Sequence, residues 1–187
     1  MVSLLVWNTR CVGARVKSDL IVPEVKKHKI CIGAMLEHKQ NLVKFMEFSR
    51  KVKLHGSMKA ESINIHIWVF WNNGDSLDMV NAGDQFITSK FTVGIESFFF
   101  MFVYGRCDVI VVQRLWIEHS LFNPQDLPWF VVGHFNTILD PGEKKGRRDF
   151  PQKASLEFAH FMECMGLIDL GYSGARFTWC NNQRRGW

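Results

Sequence analysis

Trp129-Phe130-Val131-Val132-Gly133-His134-Phe135-Asn136 is the stretch on which the reading of this chain turns. A short run of aromatic and β-branched residues makes a strand, and its end carries an imidazole and an amide. A rigid strand that finishes in polar side chains can aim them into a cleft. Working outward, three other runs finish in the same way. Ser3–Trp7 leads into Asn8, with Gly13 five residues on; Ile30–Leu36 leads into Glu37; Phe98–Tyr104 closes on Tyr104-Gly105.

Ile63–Trp71 and Gln85–Thr92 complete the strand set, with the first strand spanning Trp129–Phe135 in full. Helices are expected over Arg15–Lys27, Val109–Leu121 and Lys153–Met165. In the last, Leu156, Phe158, Ala159, Phe161, Met162 and Met165 recur at helical spacing. Asp108 suits the N-cap of the middle helix, because its carboxylate can accept from free amides of the first turn. Segment 38–62 reads as loop with a short helix, and Asp140–Gln152 as loop, given Pro141, Gly142, Gly146 and Pro151. The alternation predicts a layered α/β domain over residues 1–187 with mainly antiparallel strands.

Composition narrows the class. A hydrophobic fraction of 47% with 22% charged residues is that of a globular chain, and 16 Phe with 7 Trp predict a ring-rich core. A net charge of +5 leans towards a polyanionic partner. Five cysteines without a CxxC pair argue against a disulfide framework or zinc cluster and for a reducing compartment. With no leader pattern at Met1 and no apolar run long enough for a bilayer, the expectation is an intracellular protein, nuclear or cytoplasmic.

An amide, a carboxylate, a phenol and a second amide, each at a separate strand end, form a set suited to metal-assisted phosphodiester cleavage. A carboxylate holds Mg²⁺, amides orient groups around it, and donors meet the charge that builds on phosphate. Any one of them alone is the ordinary start of a solvated turn; four in order are specific.

These residues resemble the endonuclease/exonuclease/phosphatase superfamily. Trp7-Asn8, Glu37, Tyr104, Gly133-x-Phe135-Asn136, and Gly166-Leu167-Ile168-Asp169-Leu170-Gly171 running into Phe177-Thr178-Trp179 carry the resemblance. The chain looks most like the endonuclease domain of plant LINE-type (non-LTR) retrotransposons. Ile67-Trp68-Val69-Phe70-Trp71, Pro128-Trp129, Ile138-Leu139-Asp140-Pro141 and Glu143-Lys144-Lys145-Gly146 support that subgroup. The resemblance implies a four-layer α/β sandwich of the DNase I-like type, two mainly antiparallel sheets flanked by helices, missing the last strands. It implies a Mg²⁺-dependent ancestor that nicks DNA. Glu37 matches the metal-binding carboxylate, Asn8 the amide near metal and phosphate, and Tyr104 the phosphate-contacting phenol. Asn136 matches the amide that orients the nucleophile, and Thr178 and Trp179 a substrate-facing motif.

Two departures shape the functional expectation. The family reads Gly-Asp-Phe-Asn where this chain has Gly133-His134-Phe135-Asn136. Imidazole is a base near neutral pH, with a reference pKa of about 6.5. It is bulkier than a carboxylate, uncharged when basic, and presents its acceptor elsewhere; misplacement by ~1 Å costs ~100-fold in rate. The sequence also stops at Arg184-Arg185-Gly186-Trp187 before any Ser-Asp-His motif, and His66 falls inside the Ile63–Trp71 strand. The expectation is a degenerate, inactive Mg²⁺-dependent DNA endonuclease fragment. Its alternatives are a residual nuclease using His134 as base, or a non-catalytic nucleic-acid-binding module. For the latter, Lys26-Lys27-His28-Lys29, Lys144-Lys145, Arg147-Arg148 and Arg184-Arg185 supply charge. No Cys/His spacing suits a metal, which leaves Glu37 as the metal candidate. Substituting His134→Asp alone is expected not to produce plasmid nicking; robust Mg²⁺-dependent nicking by that variant would contradict the reading.

Overall fold

The computed structural model describes residues 2–9, 14–37, 42–52, 56–58, 66–72, 74–106, 108, 113–117, 122, 124, 127–146 and 149–177. Two four-stranded sheets organise it. The first runs β1 (Leu4–Asn8), β2 (Ile32–Leu36), β4 (Ile67–Trp71), β3 (Gly56–Met58). The second is β5 (Ser76–Ala82), β6 (Phe86–Val93), β7 (Glu96–Tyr104), β8 (Trp129–His134). β1 and β2 pair parallel, as do β7 and β8, while the other pairings are antiparallel. Both sheets are mixed, and four of the six pairings are antiparallel, in keeping with the mainly antiparallel expectation.

Side-chain alternation explains the layering. Ile32, Ala34 and Leu36 of β2 and Ile67 and Val69 of β4 face Leu77, Ile87, Phe91, Phe100 and Phe102 of the second sheet in one apolar core. The intervening Met35, Trp68 and Phe70 point the other way, onto Ile21 and Val25 of α1 (Ala14–Lys27) and Phe48 of α2 (Leu42–Val52). With a period of two, each strand feeds both layers, so β2 is buried along its whole length. The Phe48 ring meets Phe70 edge-on at 5.5 Å, an arrangement that ring quadrupoles favour. α1 ends where Lys29 turns left-handed (φ 48°), after Lys26 and Lys27 have placed positive charge on its C-terminal turn.

The β5–β7 meander is local. A two-residue turn joins Val93 to its partner Glu96, and Gly94 at φ 60° supplies the left-handed backbone that such a turn requires. A register shift between Met79 and Asn81 makes Val80 a β-bulge on β5, an edge of the second sheet.

The chain divides into two compact units, Met1–Arg106 with Phe122–Asn136, and Cys107–Leu121 with Thr137–Trp187. In the second unit, residues 113–117 are helical and α3 spans Gln152–Cys164. Trp116 lies against Phe158 and Phe161 of α3, with centroids 5.1 and 4.6 Å away. Ser155 Oγ donates to the Leu139 carbonyl at 2.9 Å, and the Asp140 side chain accepts from Gly142 N at 2.6 Å.

Within segment 38–62 the described residues include the expected helix, the 11-residue α2, and a strand, β3, that was not expected. Ser76–Ala82 was not expected as a strand either, because its polar residues on an edge weaken the apolar alternation. Most of Val109–Leu121 lies outside the described residues. No helix among the described residues is long and apolar enough to cross a membrane. Phe102 is fully buried between the sheets, so Phe102→Ala should destabilise the fold by about 3–5 kcal/mol in urea unfolding. A loss below about 1 kcal/mol would contradict a close-packed core there.

Candidate functional site

Parallel pairing brings the carboxyl ends of β1 and β2 together. Asn8 is the register partner of Leu36, one residue before Glu37. The neighbouring Thr9, itself buried, donates to the Leu36 carbonyl from both its amide (2.8 Å) and its hydroxyl (2.9 Å). This double clamp fixes Asn8 beside Glu37. β4 runs antiparallel to β2, so its beginning arrives at the same place, and Glu37 N donates to the His66 carbonyl at 2.9 Å. Glu37 is 5% exposed and holds a left-handed backbone at φ 53°. For a residue with a Cβ that conformation costs about 1–3 kcal/mol and persists where surrounding contacts impose it.

The second sheet repeats the arrangement. β7 and β8 are parallel, Tyr104 is the register partner of His134, and Gly105 N donates to the His134 carbonyl at 2.8 Å. The chain passes so close that a Cβ on Gly105 would sit 2.5 Å from the Phe135 carbonyl oxygen, which explains the glycine. Asn136, left-handed at φ 52°, donates from Nδ2 to the Gly105 carbonyl. Tyr104 N is held by the carbonyl of the buried Gln85 at 2.7 Å. At the sheet ends, Arg106 N donates to Gln85 Oε1 at 2.8 Å and the Arg106 guanidinium pairs with Asp84 at 3.2 Å.

A hydrogen bond joins the two sets. The Tyr104 hydroxyl donates to Glu37 Oε1 at 2.7 Å. The His66 ring lies 5.1 Å from the Tyr104 ring at 45°, and the His134 ring lies 6.3 Å from it, nearly parallel at 19°. The structure therefore gathers Asn8, Glu37, Tyr104, His134 and Asn136 at neighbouring strand ends. His66 is the member that sequence reasoning misplaced. It stands one residue before β4, as a bend, rather than inside a strand. Its position just ahead of the apolar run Ile67–Trp71 was the available signal, because an antiparallel neighbour contributes its start where the others contribute their ends.

Thr178, Trp179, Gly13, Arg147, Arg148, Arg184 and Arg185 lie outside the described residues. Of the basic groups, Lys27 and His28 pair with Glu24 at 3.5 and 3.2 Å, and Lys144 Nζ donates to the Asp149 carbonyl at 2.8 Å. Those charges are engaged within their own segments. A cavity of about 500 Å³ lined by Ser3, Leu4, Leu5, Trp7, Glu24, His28 and Ile30 includes none of the candidate residues.

Glu37 is the hard-oxygen donor of the site. Among the described residues, no group of three or more His, Cys, Asp or Glu gathers as a metal cage. Mg²⁺ does not need one: it keeps several waters and takes one or two carboxylates plus substrate phosphate. A single carboxylate next to the strand end that bears the Asn8 amide fits that ion.

Two mixed sheets, the first covered on its outer face by α1 and α2, give the first unit an α/β architecture. No family model matches the chain, and no curated protein matches it in sequence. Solved structures match it in fold. An AP endonuclease from Archaeoglobus fulgidus has a TM-score of 0.64 at 14% identity, over 87% of this chain and 70% of that one. The endonuclease domain of TRAS1, a telomere-specific non-LTR retrotransposon, has a TM-score of 0.63 at 9% identity, over 92% and 76%. A β-hairpin deletion mutant of β toxin from Staphylococcus aureus has a TM-score of 0.66 at 12% identity, over 96% and 78%.

Tyr104→Phe keeps the ring and removes the donor to a buried carboxylate. It should destabilise the fold by about 1.5–3 kcal/mol, measured by urea unfolding. A change within about 0.5 kcal/mol would show that the bond contributes nothing to holding the sheet ends together.

Proposed function

We propose that the chain derives from a Mg²⁺-dependent DNA endonuclease of a plant LINE-type retrotransposon and no longer hydrolyses phosphodiesters. The observation that carries this reading is the Tyr104–Glu37 hydrogen bond at a junction of strand ends, with His134 beside it where the resembled family has Asp. The fold shared with an AP endonuclease and with a retrotransposon endonuclease domain supports it.

In this reading Glu37 holds Mg²⁺ through its carboxylate, with the Asn8 amide as neighbour. The ion, when bound, supplies Lewis-acid polarisation of the phosphate oxygens. Tyr104 orients Glu37, because its hydroxyl proton is directed at Oε1. Asn136 braces the β8 exit through its bond to Gly105 and limits movement of the loop that follows His134. Among the described residues at these strand ends, no second carboxylate joins Glu37 to serve as an anionic base for the attacking water. A neutral imidazole at His134 offers one acceptor nitrogen and no negative charge, and its ring lies alongside that of Tyr104. DNA is the proposed ligand, met through phosphate contacts.

The deciding assay is supercoiled-plasmid nicking with Mg²⁺, beside Glu37→Ala and a metal-free control. No nicking above the controls is expected. Nicking that Glu37→Ala abolishes would overturn the inactive reading and mean that His134 or another group has taken over the base role. DNA affinity, followed by fluorescence anisotropy, should fall steeply with salt as counterions return to the phosphates. Absent or salt-insensitive binding would remove DNA as the partner.

A further inference from the structure

His160 and Cys164 stand one helical turn apart on α3, both exposed, in a unit that contributes none of the described candidate site residues. Cys164 Sγ lies 3.5 Å from His160 Nε2 and 3.8 Å from Nδ1. Zinc takes thiolate sulfur at about 2.3 Å and imidazole nitrogen at about 2.0–2.1 Å. At a tetrahedral angle those bonds place sulfur and nitrogen about 3.5–3.6 Å apart. The observed spacing is that bite. An α-helix presents residues four apart on one face, so both ligands sit on rigid backbone and only an exposed ring must rotate to aim its lone pair.

We propose that His160 and Cys164 form a half-site for Zn²⁺, completed by the same pair from a second copy of this chain. Among the described residues no third His, Cys, Asp or Glu joins the pair, which supplies two of the four ligands of a tetrahedral site. A two-fold axis fills the other two positions with an identical pair and yields a Cys₂His₂ site. Leu156 lies one turn before His160 on the same face and is 62% exposed, which gives the partner helix apolar surface beside the ion. The Cys164 thiol proton passes to solvent as the sulfur binds, so affinity rises with pH. The absence of CxxC spacing had argued against zinc, but a helical i,i+4 pair needs no such motif.

The test is sedimentation velocity of the full chain under a non-thiol reductant during titration with zinc sulfate. Dimer should accumulate up to half an equivalent of zinc per chain and dissociate with chelator. Cys164→Ser and His160→Ala should each abolish the zinc-dependent dimer while leaving the far-ultraviolet circular dichroism unchanged. Cobalt(II) titration should give thiolate charge-transfer absorption that Cys164→Ser removes. A chain that stays monomeric, binds one zinc without dimerising, or still dimerises with zinc in both variants overturns the proposal.

Discussion

Two parallel strand pairs inside otherwise antiparallel sheets set the position of the candidate site residues in the first unit. An antiparallel pair puts the end of one strand beside the beginning of the next. A parallel pair puts two ends side by side, at the cost of a long crossover. Here β1 with β2 delivers Asn8 and Glu37 to one place, and β7 with β8 delivers Tyr104, His134 and Asn136 to another. The Tyr104–Glu37 hydrogen bond then links the two places across 67 residues of sequence. With antiparallel pairing, the same residues would fall at opposite ends of their sheets.

The core makes that arrangement rigid. β2 is covered on one face by α1 and α2 and on the other by the second sheet, so its end has little freedom to move. This support is what allows Glu37 to keep a left-handed backbone that a free loop would abandon. Asn136 does the same with less strain, since asparagine tolerates that region better. Besides Lys29 at the end of α1, they are the described non-glycine residues with positive φ. Strain is thus concentrated where the sequence pattern had placed polar strand ends, an observation independent of any family likeness.

Strands were legible where apolar residues occupy consecutive positions, as in Ile30–Leu36 and in Ile67–Trp71, both of them largely buried, and in the partly buried Trp129–His134. Ser76–Ala82 was not legible, because an edge strand with one exposed face shows Asp78 and Asn81 among its apolar residues. α2 was legible only as a short helix without bounds, because one stripe of a surface helix is apolar and Arg50 and Lys51 dominate its last turn. In the site, strand-end logic found the residues that terminate strands. It did not weigh His66, which stands at the start of a strand rather than at the end of one, with its place just ahead of Ile67–Trp71 as the local sign.

The bulge at Val80 bears on how the protein behaves in a crowded solution. An outer strand offers unpaired amide and carbonyl groups, and Met79 and Val80 add exposed apolar surface to that margin. A regular margin of this kind is a template on which another chain can stack, the first step towards a fibril. One extra residue breaks the hydrogen-bonding rhythm at mid-strand and increases the local twist, while exposed Asp78 places a charge next to it. An incoming strand can match β5 for only a few residues on either side before losing register. The irregularity therefore works as a built-in stop against open-ended polymerisation.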